Sequence, residues 1–421
     1  MEHNVLLISG VFPPQSDVGG LRIAMFSKFL PRFGWKPFIF TSARNPADPK
    51  NQPTMTIEGL PPDSQIMRVI YGSDEEVAAT IRRNSSLTTK LHYLFYPDYA
   101  WPPGLLQKML NEAEHLLGSH KFDAIYATYD PLASLTLGAY LSSKLNIPWI
   151  ADFRDIPEQD LAESFRMRLL HLRFNIRRKI LTRTASEVIT VSRHHAALLG
   201  KKLRRRVHVI PNGFDPTMYN PINNHHSTKF TITYMGRILF KWLQNPTYFL
   251  QALDILIERN DIVRDDLDVS FYGTDRDVLL PMISQYKCKR CIKVHPRVPY
   301  NDVPGILQQS CVLLLLTEHD RKGILTTKVF EYMAAKRPIL CVPSDRDELE
   351  KLLNKTKSGV SCQSTEETAA IIKEWYDEWK KTGTVHCNSD DNEIQEYSRE
   401  KQTGMLAEIL ESVCKSNCRK Y

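Results

Sequence analysis

The chain has 421 residues, of which 42% are hydrophobic and 24% charged, with a formal net charge of +7. That length exceeds the roughly 100 to 200 residues one hydrophobic core usually organises, so two domains are expected, and the balance excludes a chain dominated by disorder. The longest strongly apolar run, residues 311–316, is far short of the roughly 20 residues needed to cross a bilayer and reads as a buried strand. Val5 to Ile8 follow the first residues with no basic region or cleavage site, which predicts a cytoplasmic protein. Eight scattered cysteines point to free thiols in a reducing compartment. Cys288 and Cys291 form a lone CxxC, expected as a thiol-bearing surface loop because no second ligand pair stands at zinc spacing. The positive balance favours anionic company, a phosphate ligand or a lipid surface.

In chain order, short apolar runs predict strands at 5–9, 37–41, 66–70, 124–128, 148–152, 187–191 and 207–210, with helices at 21–33, 105–117 and 132–145. Residues 212–227, rich in Asn, Pro, His and Gly, read as a linker. A second series of strands is predicted at 230–235, 267–272, 292–294, 311–316, 338–342 and 359–361, and a final helix at about 393–413 is expected to fold back on the first domain. The fold class is α/β: two doubly wound, Rossmann-like domains, 1–215 and 216–392, facing across a cleft at the carboxyl ends of their strands.

Between the first strand and its helix, residues 10–20 read GVFPPQSDVGG. A glycine pair, Gly19 and Gly20, ahead of a helix lets backbone approach an anion, although a flexible connection would look the same. The spacing is not GxGxxG, so a nicotinamide site is not indicated. Arg237 and Lys241 follow the strand at 230–235, where two cations could neutralise a diphosphate leaving group or could form a solvated surface pair. In GILTTKVFEYMAAKRPIL, residues 323–340, Thr326, Thr327 and Lys328 open a helix that carries Glu331 on the face of Lys328. Glu331 could accept two hydrogen bonds from a ribose diol while Lys328 and the helix N-terminus meet the diphosphate; a plain ion pair is the alternative.

Asp152, Arg154 and Asp155, in the ADFRD segment, are candidates for acceptor binding and reaction-centre electrostatics, or for a buried Arg–Asp pair that fixes the loop. DxD triplets at 275–277 and 345–347 could in principle serve a metal, but such short matches arise easily and no metal is expected. Residues 165–181, FRMRLLHLRFNIRRKIL, form a basic amphipathic helix able to lie on an anionic membrane surface, or a domain helix with a solvated basic edge. No nucleic-acid motif accompanies this charge.

Five segments in order, PPQSDVGG, PWIADFRD, VS through IPNGFD, YMGR and KVFEYMAAKRP, make the chain resemble the glycosyltransferase family 4-like group, the retaining GT-B enzymes that include many bacterial polysaccharide and lipid-linked sugar transferases. The resemblance implies a GT-B fold and a retaining, metal-independent transferase. Its donor would be a UDP- or GDP-sugar and its acceptor saccharide or lipid-linked, in surface polysaccharide or glycolipid synthesis, with no cofactor. It also implies that Gly19 and Gly20 cover the donor phosphates, that Arg237 and Lys241 meet the diphosphate with Thr327 and Lys328, and that Glu331 takes the ribose. Arg297 and Val298 would sit in the turn that meets the base. Gly323 stands where many members carry the first of two glutamates. That departure keeps a non-catalytic binding scaffold in view as a rival, beside a UDP-sugar epimerase of similar fold.

Overall fold

The alternation of apolar strand and helix is realised twice. The structure, a computed structural model, describes residues 3–15, 18–44, 55–71, 105–129, 131–157, 165–219, 227–238, 244–318 and 322–418. The chain divides into two units, Met1–Pro211 with Arg399–Tyr421, and Asn212–Ser398.

The first unit runs β1 (His3–Ser9), α1 (Val18–Phe29), β2 (Trp35–Arg44), β3 (Ile66–Tyr71), α2 (Leu105–Ser119), β4 (Ala124–Tyr129), α3 (Leu132–Leu145), β5 (Trp149–Phe153), α4 (Phe165–Thr182), β6 (Glu187–Thr190), α5 (Arg193–Leu203) and β7 (His208–Val209). The seven strands among its described residues are all parallel, in the order β3-β2-β1-β4-β5-β6-β7. The second unit runs β8 (Phe230–Met235), α6 (Thr247–Glu258), β9 (Leu267–Tyr272), α7 (Arg276–Ile283), β10 (Ile292–His295), α8 (Val303–Gln309), β11 (Val312–Leu316), α9 (Thr327–Ala335), β12 (Ile339–Val342), α10 (Glu348–Thr356), β13 (Gly359–Ser361), α11 (Thr365–Thr382) and α12 (Asp391–Gln395). The six parallel strands among its described residues lie in the order β10-β9-β8-β11-β12-β13. The last helix, α13 (Arg399–Cys418), belongs to the first unit.

Parallel sheets covered by helices on both faces need strands without a polar side. β1 and β11 accordingly carry unbroken buried runs, from Val5 to Ser9 and from Val312 to Leu316. Alternate residues of β1 feed two separate cores. Leu6 and Ile8 join Trp149, Leu135 and Leu141, whereas Val5 and Leu7 join Phe26, Tyr126, Leu406 and Leu410. The final helix therefore completes the core of the first unit by supplying its own apolar stripe.

Three expectations are corrected. The helix after β1 begins at Val18, so Gly19 and Gly20 lie in its first turn instead of ahead of it. The predicted final helix is two helices, and the second extends to Cys418. Cys288 and Cys291 are buried, not surface thiols. The Asp254 carboxylate on α6 accepts the Lys287 and Cys288 backbone N–H groups at 2.9 and 2.7 Å, drawing the turn onto the core. Burial pushes the Cys291 thiol up to about 11 and Cys288 higher still.

Leu410 is fully buried, so Leu410→Ala should lower the stability of the first unit by about 2 to 5 kcal/mol, the usual cost of such a cavity. Urea denaturation of the full chain, compared with the parent, measures it.

Candidate functional site

In doubly wound sheets, ligands bind at the carboxyl ends of the strands where the strand order reverses. In the second unit that point lies between β8 and β11, and the segments leaving those two strands carry the glycine-arginine pair and helix α9. Tyr234 alternates inward with Phe230 and Ile232 and is fully buried. Its hydroxyl donates to the Arg237 carbonyl at 3.1 Å and accepts from Lys328 Nζ at 2.8 Å. The Lys328 ammonium also lies 4.6 Å from the Tyr234 ring centroid, a cation–π placement.

Gly236 makes this approach possible. Its φ of +127° suits glycine, and a Cβ there would fall 2.4 Å from Lys328 Cε and 2.9 Å from Nζ. The strand exit is held on both sides. The Gly236 N–H donates to the Tyr272 carbonyl at 2.8 Å, its carbonyl accepts from Thr274 Oγ1 at 2.7 Å, and the Met235 N–H donates to the Tyr332 hydroxyl at 2.8 Å.

Burial pulls Lys328 down from 10.5 to about 8, against the opposing pull of Glu331 one turn along α9. Glu331, in turn, adds to the burial that drives the Tyr219 and Tyr332 hydroxyls well above their ordinary range. Thr326 holds the N-cap position of α9, but its side chain makes no capping bond and its buried Oγ1 has no hydrogen-bond partner among the described residues. No acidic residue occupies the first turn, which begins at Thr327. Helix N–H groups, an ammonium and a carboxylate thus meet at one strand end, a combination suited to a phosphate ester that also carries a diol. Arg237 follows directly and is 67% exposed, with its guanidinium 3.9 Å from Asp275.

The segment with Arg297 and Val298 packs beside the turn after β9. The Gly273 N–H donates to the His295 carbonyl at 3.1 Å, the Arg297 Cα lies 3.8 Å from the Cβ position of Gly273, and Val298 packs against the Phe330 and Met333 core. Through Gly273 and Thr274 this turn is tied to Gly236. The structure therefore brings Arg237, Arg297, Val298, Thr327, Lys328 and Glu331 to the same end of one sheet, while Lys241 lies outside the described residues.

The second DxD is a helix-start device. Asp345 accepts from the backbone N–H groups of Asp347, Leu349 and Glu350 at 3.0 to 3.1 Å, and Asp347 accepts the Gly323 N–H at 3.0 Å. Gly323 itself has φ +76°, a conformation that a glutamate would adopt only with strain. Among the described residues no group of three or more His, Cys, Asp or Glu is placed to hold a metal.

In the first unit, Gly20 leaves a Cβ position only 3.1 Å from the Val11 carbonyl oxygen, so the loop after β1 folds directly over α1. Asp152 is fully buried, and its carboxylate is engaged internally. It accepts from Arg22 Nε at 2.9 Å, Arg22 Nη2 at 3.3 Å, Thr128 Oγ1 at 3.2 Å and the Tyr126 hydroxyl at 2.5 Å. Arg22 also reaches the Pro211 carbonyl at 3.0 Å. The buried Arg–Asp pair thus uses an arginine from α1. Arg154 pairs instead with its neighbour Asp155, at 2.8 Å from Nε, and both are partly exposed.

Sequence reasoning missed Tyr234, Tyr332, Tyr126 and Arg22. The tyrosines sit at inward positions that read simply as core, and no local spacing links Arg22 to Asp152.

Two family models match the chain, Glycosyltransferase Family 4 over residues 20–218 and Glycosyl transferase-like over residues 251–395. No curated protein matches it. Among solved structures, sucrose-phosphate synthase from Thermosynechococcus elongatus aligns with a TM-score of 0.67 at 15% identity, covering 98% of this chain and 100% of that one. Anabaena Alr3699/HepE in complex with UDP and glucose aligns at 0.63 and 16% identity, covering 97% and 100%. A Listeria monocytogenes protein described as a candidate UDP-N-acetylglucosamine 2-epimerase aligns at 0.55 and 10% identity, covering 99% and 98%. Likeness at these identities carries the fold, which is GT-B with two Rossmann-like domains.

Two outcomes test the electrostatics of these sites. Asp152→Ala leaves the buried Arg22 guanidinium without its counter-charge and should cost about 3 to 5 kcal/mol by urea denaturation. For Lys328, the folded pKa of about 8 lies below the unfolded value of 10.5. The unfolded chain therefore binds more protons between those values, and stability should rise with pH across this window. The pH profile of Lys328→Met should lack that rise, and subtracting it from the parent profile should isolate the rise.

Proposed function

We propose that this chain is a transferase of the glycosyltransferase family 4-like group, whose models match it in two segments, and that the sugar it transfers arrives on a UDP- or GDP-sugar bound by the second unit. Arg237, Lys328 and the leading N–H groups of α9 meet the diphosphate, Glu331 accepts the ribose hydroxyls, and the Arg297–Val298 turn lies against the base. The observation that carries this reading is the Lys328 ammonium, seated between Gly236 and Tyr234 with its pKa lowered by burial. A half-buried cation held below its ordinary range gains from an incoming anion. The complex of Anabaena HepE with UDP and glucose supports a uridine donor of the same general kind.

As the bond between the sugar and the diphosphate breaks, negative charge collects on the departing oxygen. Lys328, Arg237 and the α9 N-terminus stabilise it in place, the electrostatic contribution that usually dominates such catalysis. No metal is required for this neutralisation. The acceptor, a saccharide or lipid-linked sugar, attacks on the side from which the diphosphate leaves, so that configuration is retained and the donor phosphate assists its deprotonation. Arg154 and Asp155, partly exposed at the end of β5, are the first-unit groups available to the acceptor. The product is a surface polysaccharide or glycolipid precursor.

Thermal-shift screening against UDP, GDP and ADP and their sugars should show a selective rise, because a ligand specific to the folded state stabilises it. Glu331→Ala and Arg237→Ala should each weaken the selected nucleotide by about tenfold, equivalent to about 1.4 kcal/mol. Unchanged affinity in both variants would overturn the assigned site. Calorimetry at pH 8.5 in two buffers of different ionisation enthalpy should register proton uptake on nucleotide binding, lost in Lys328→Met.

A further inference from the structure

Helix α4 (Phe165–Thr182) is docked on the first unit by one face only. Phe174, Arg178 and Leu181 are buried, with Phe174 and Leu181 in the core shared with Trp149 and Leu199. On the other side Leu169, Leu172, Ile176 and Ile180 remain 41%, 56%, 54% and 54% exposed. At 3.6 residues per turn these four fall within an arc of about 80°, directly opposite the buried positions. They are four of the nine large hydrophobic side chains found exposed among the described residues, and they form a single stripe over about three turns.

The stripe is bordered by cations along both edges. The same helical geometry puts Arg173 and Arg177 on one side and Arg168 and Lys179 on the other. The helix contains no Asp or Glu. Nothing in the helix is long and apolar enough to cross a membrane, a description that holds for every helix among the described residues.

We propose that this face of α4 is a docking surface for an anionic lipid bilayer, lying parallel to it. The aliphatic stripe enters the region between headgroups and acyl chains, while the two basic rows meet the lipid phosphates. Long arginine and lysine side chains suit this position because their stems can follow the stripe into the apolar layer with the charged ends kept at the headgroups. A second copy of this chain fits poorly, since any pairing of two such faces would set basic rows against basic rows. Nucleic acid would satisfy the cations but leave the stripe exposed. The inference stands apart from the donor site, since every residue named here lies in the first unit.

Cosedimentation of the full chain with vesicles of phosphatidylglycerol and phosphatidylcholine, and with vesicles of phosphatidylcholine alone, tests this. Binding should require the anionic lipid and should fall at least tenfold in Leu172→Ser/Ile176→Ser and in Arg173→Gln/Lys179→Gln. All four positions are at the surface, so unchanged thermal unfolding and unchanged nucleotide-induced thermal shift are expected in both variants. Equal binding to neutral vesicles, or undiminished binding by the double serine variant, would overturn the proposal. Concentration-dependent dimerisation abolished by the serine variant, without lipid binding by the parent, would assign the stripe to a second copy and equally overturn it.

Discussion

The contact on which the candidate site depends is that of the Lys328 ammonium with the backbone of Gly236 and the ring and hydroxyl of Tyr234. It joins the exit of β8 to the first turn of α9, two segments separated by more than 90 positions in the chain. Gly236 has to be glycine because a Cβ would occupy the space of the lysine stem. Tyr234 has to reach the strand end with its hydroxyl because the ammonium needs an acceptor there. Burial leaves the cation with a lowered pKa, and that is the electrostatic condition under which a diphosphate is attracted most strongly.

The first unit uses buried charge differently. Arg22 and Asp152 neutralise one another inside the sheet, with Tyr126 and Thr128 occupying the remaining carboxylate capacity. Such a fully satisfied network fixes the ends of β4, β5 and α1 relative to each other, and its groups are closed to solvent. Lys328, by contrast, faces a carboxylate one helical turn away and an uncapped helix start. Saturation marks the first arrangement as structural, whereas the second retains capacity for an anion.

Much of the architecture was legible beforehand because strand runs and helical periodicity are local properties. All thirteen predicted strands occur among the described residues, most within two positions of their expected ends. The helix carrying Lys328 and Glu331 was equally readable, since residues three apart share a helical face whatever surrounds them. Boundaries fared less well where tertiary contacts intervene. Leu30–Phe33 tightens into a 3-10 turn that closes on Gly34, and the loop over Gly20 allows α1 to start earlier than its apolar pattern suggests.

The sequence by itself determined the two series of parallel strands, the basic and acidic groups at their carboxyl ends, and the resemblance to glycosyltransferase families that two family models share. Tertiary structure alone decided which charges are satisfied. The ADFRD aspartate found its arginine on α1, the CxxC thiols were drawn inward by Asp254, and the second DxD became the start of a helix. It likewise decided which face of α4 stays uncovered. The physical reason is range: periodicity and propensity act over a few residues, whereas burial and ion pairing depend on neighbours brought together only when the chain closes its sheets.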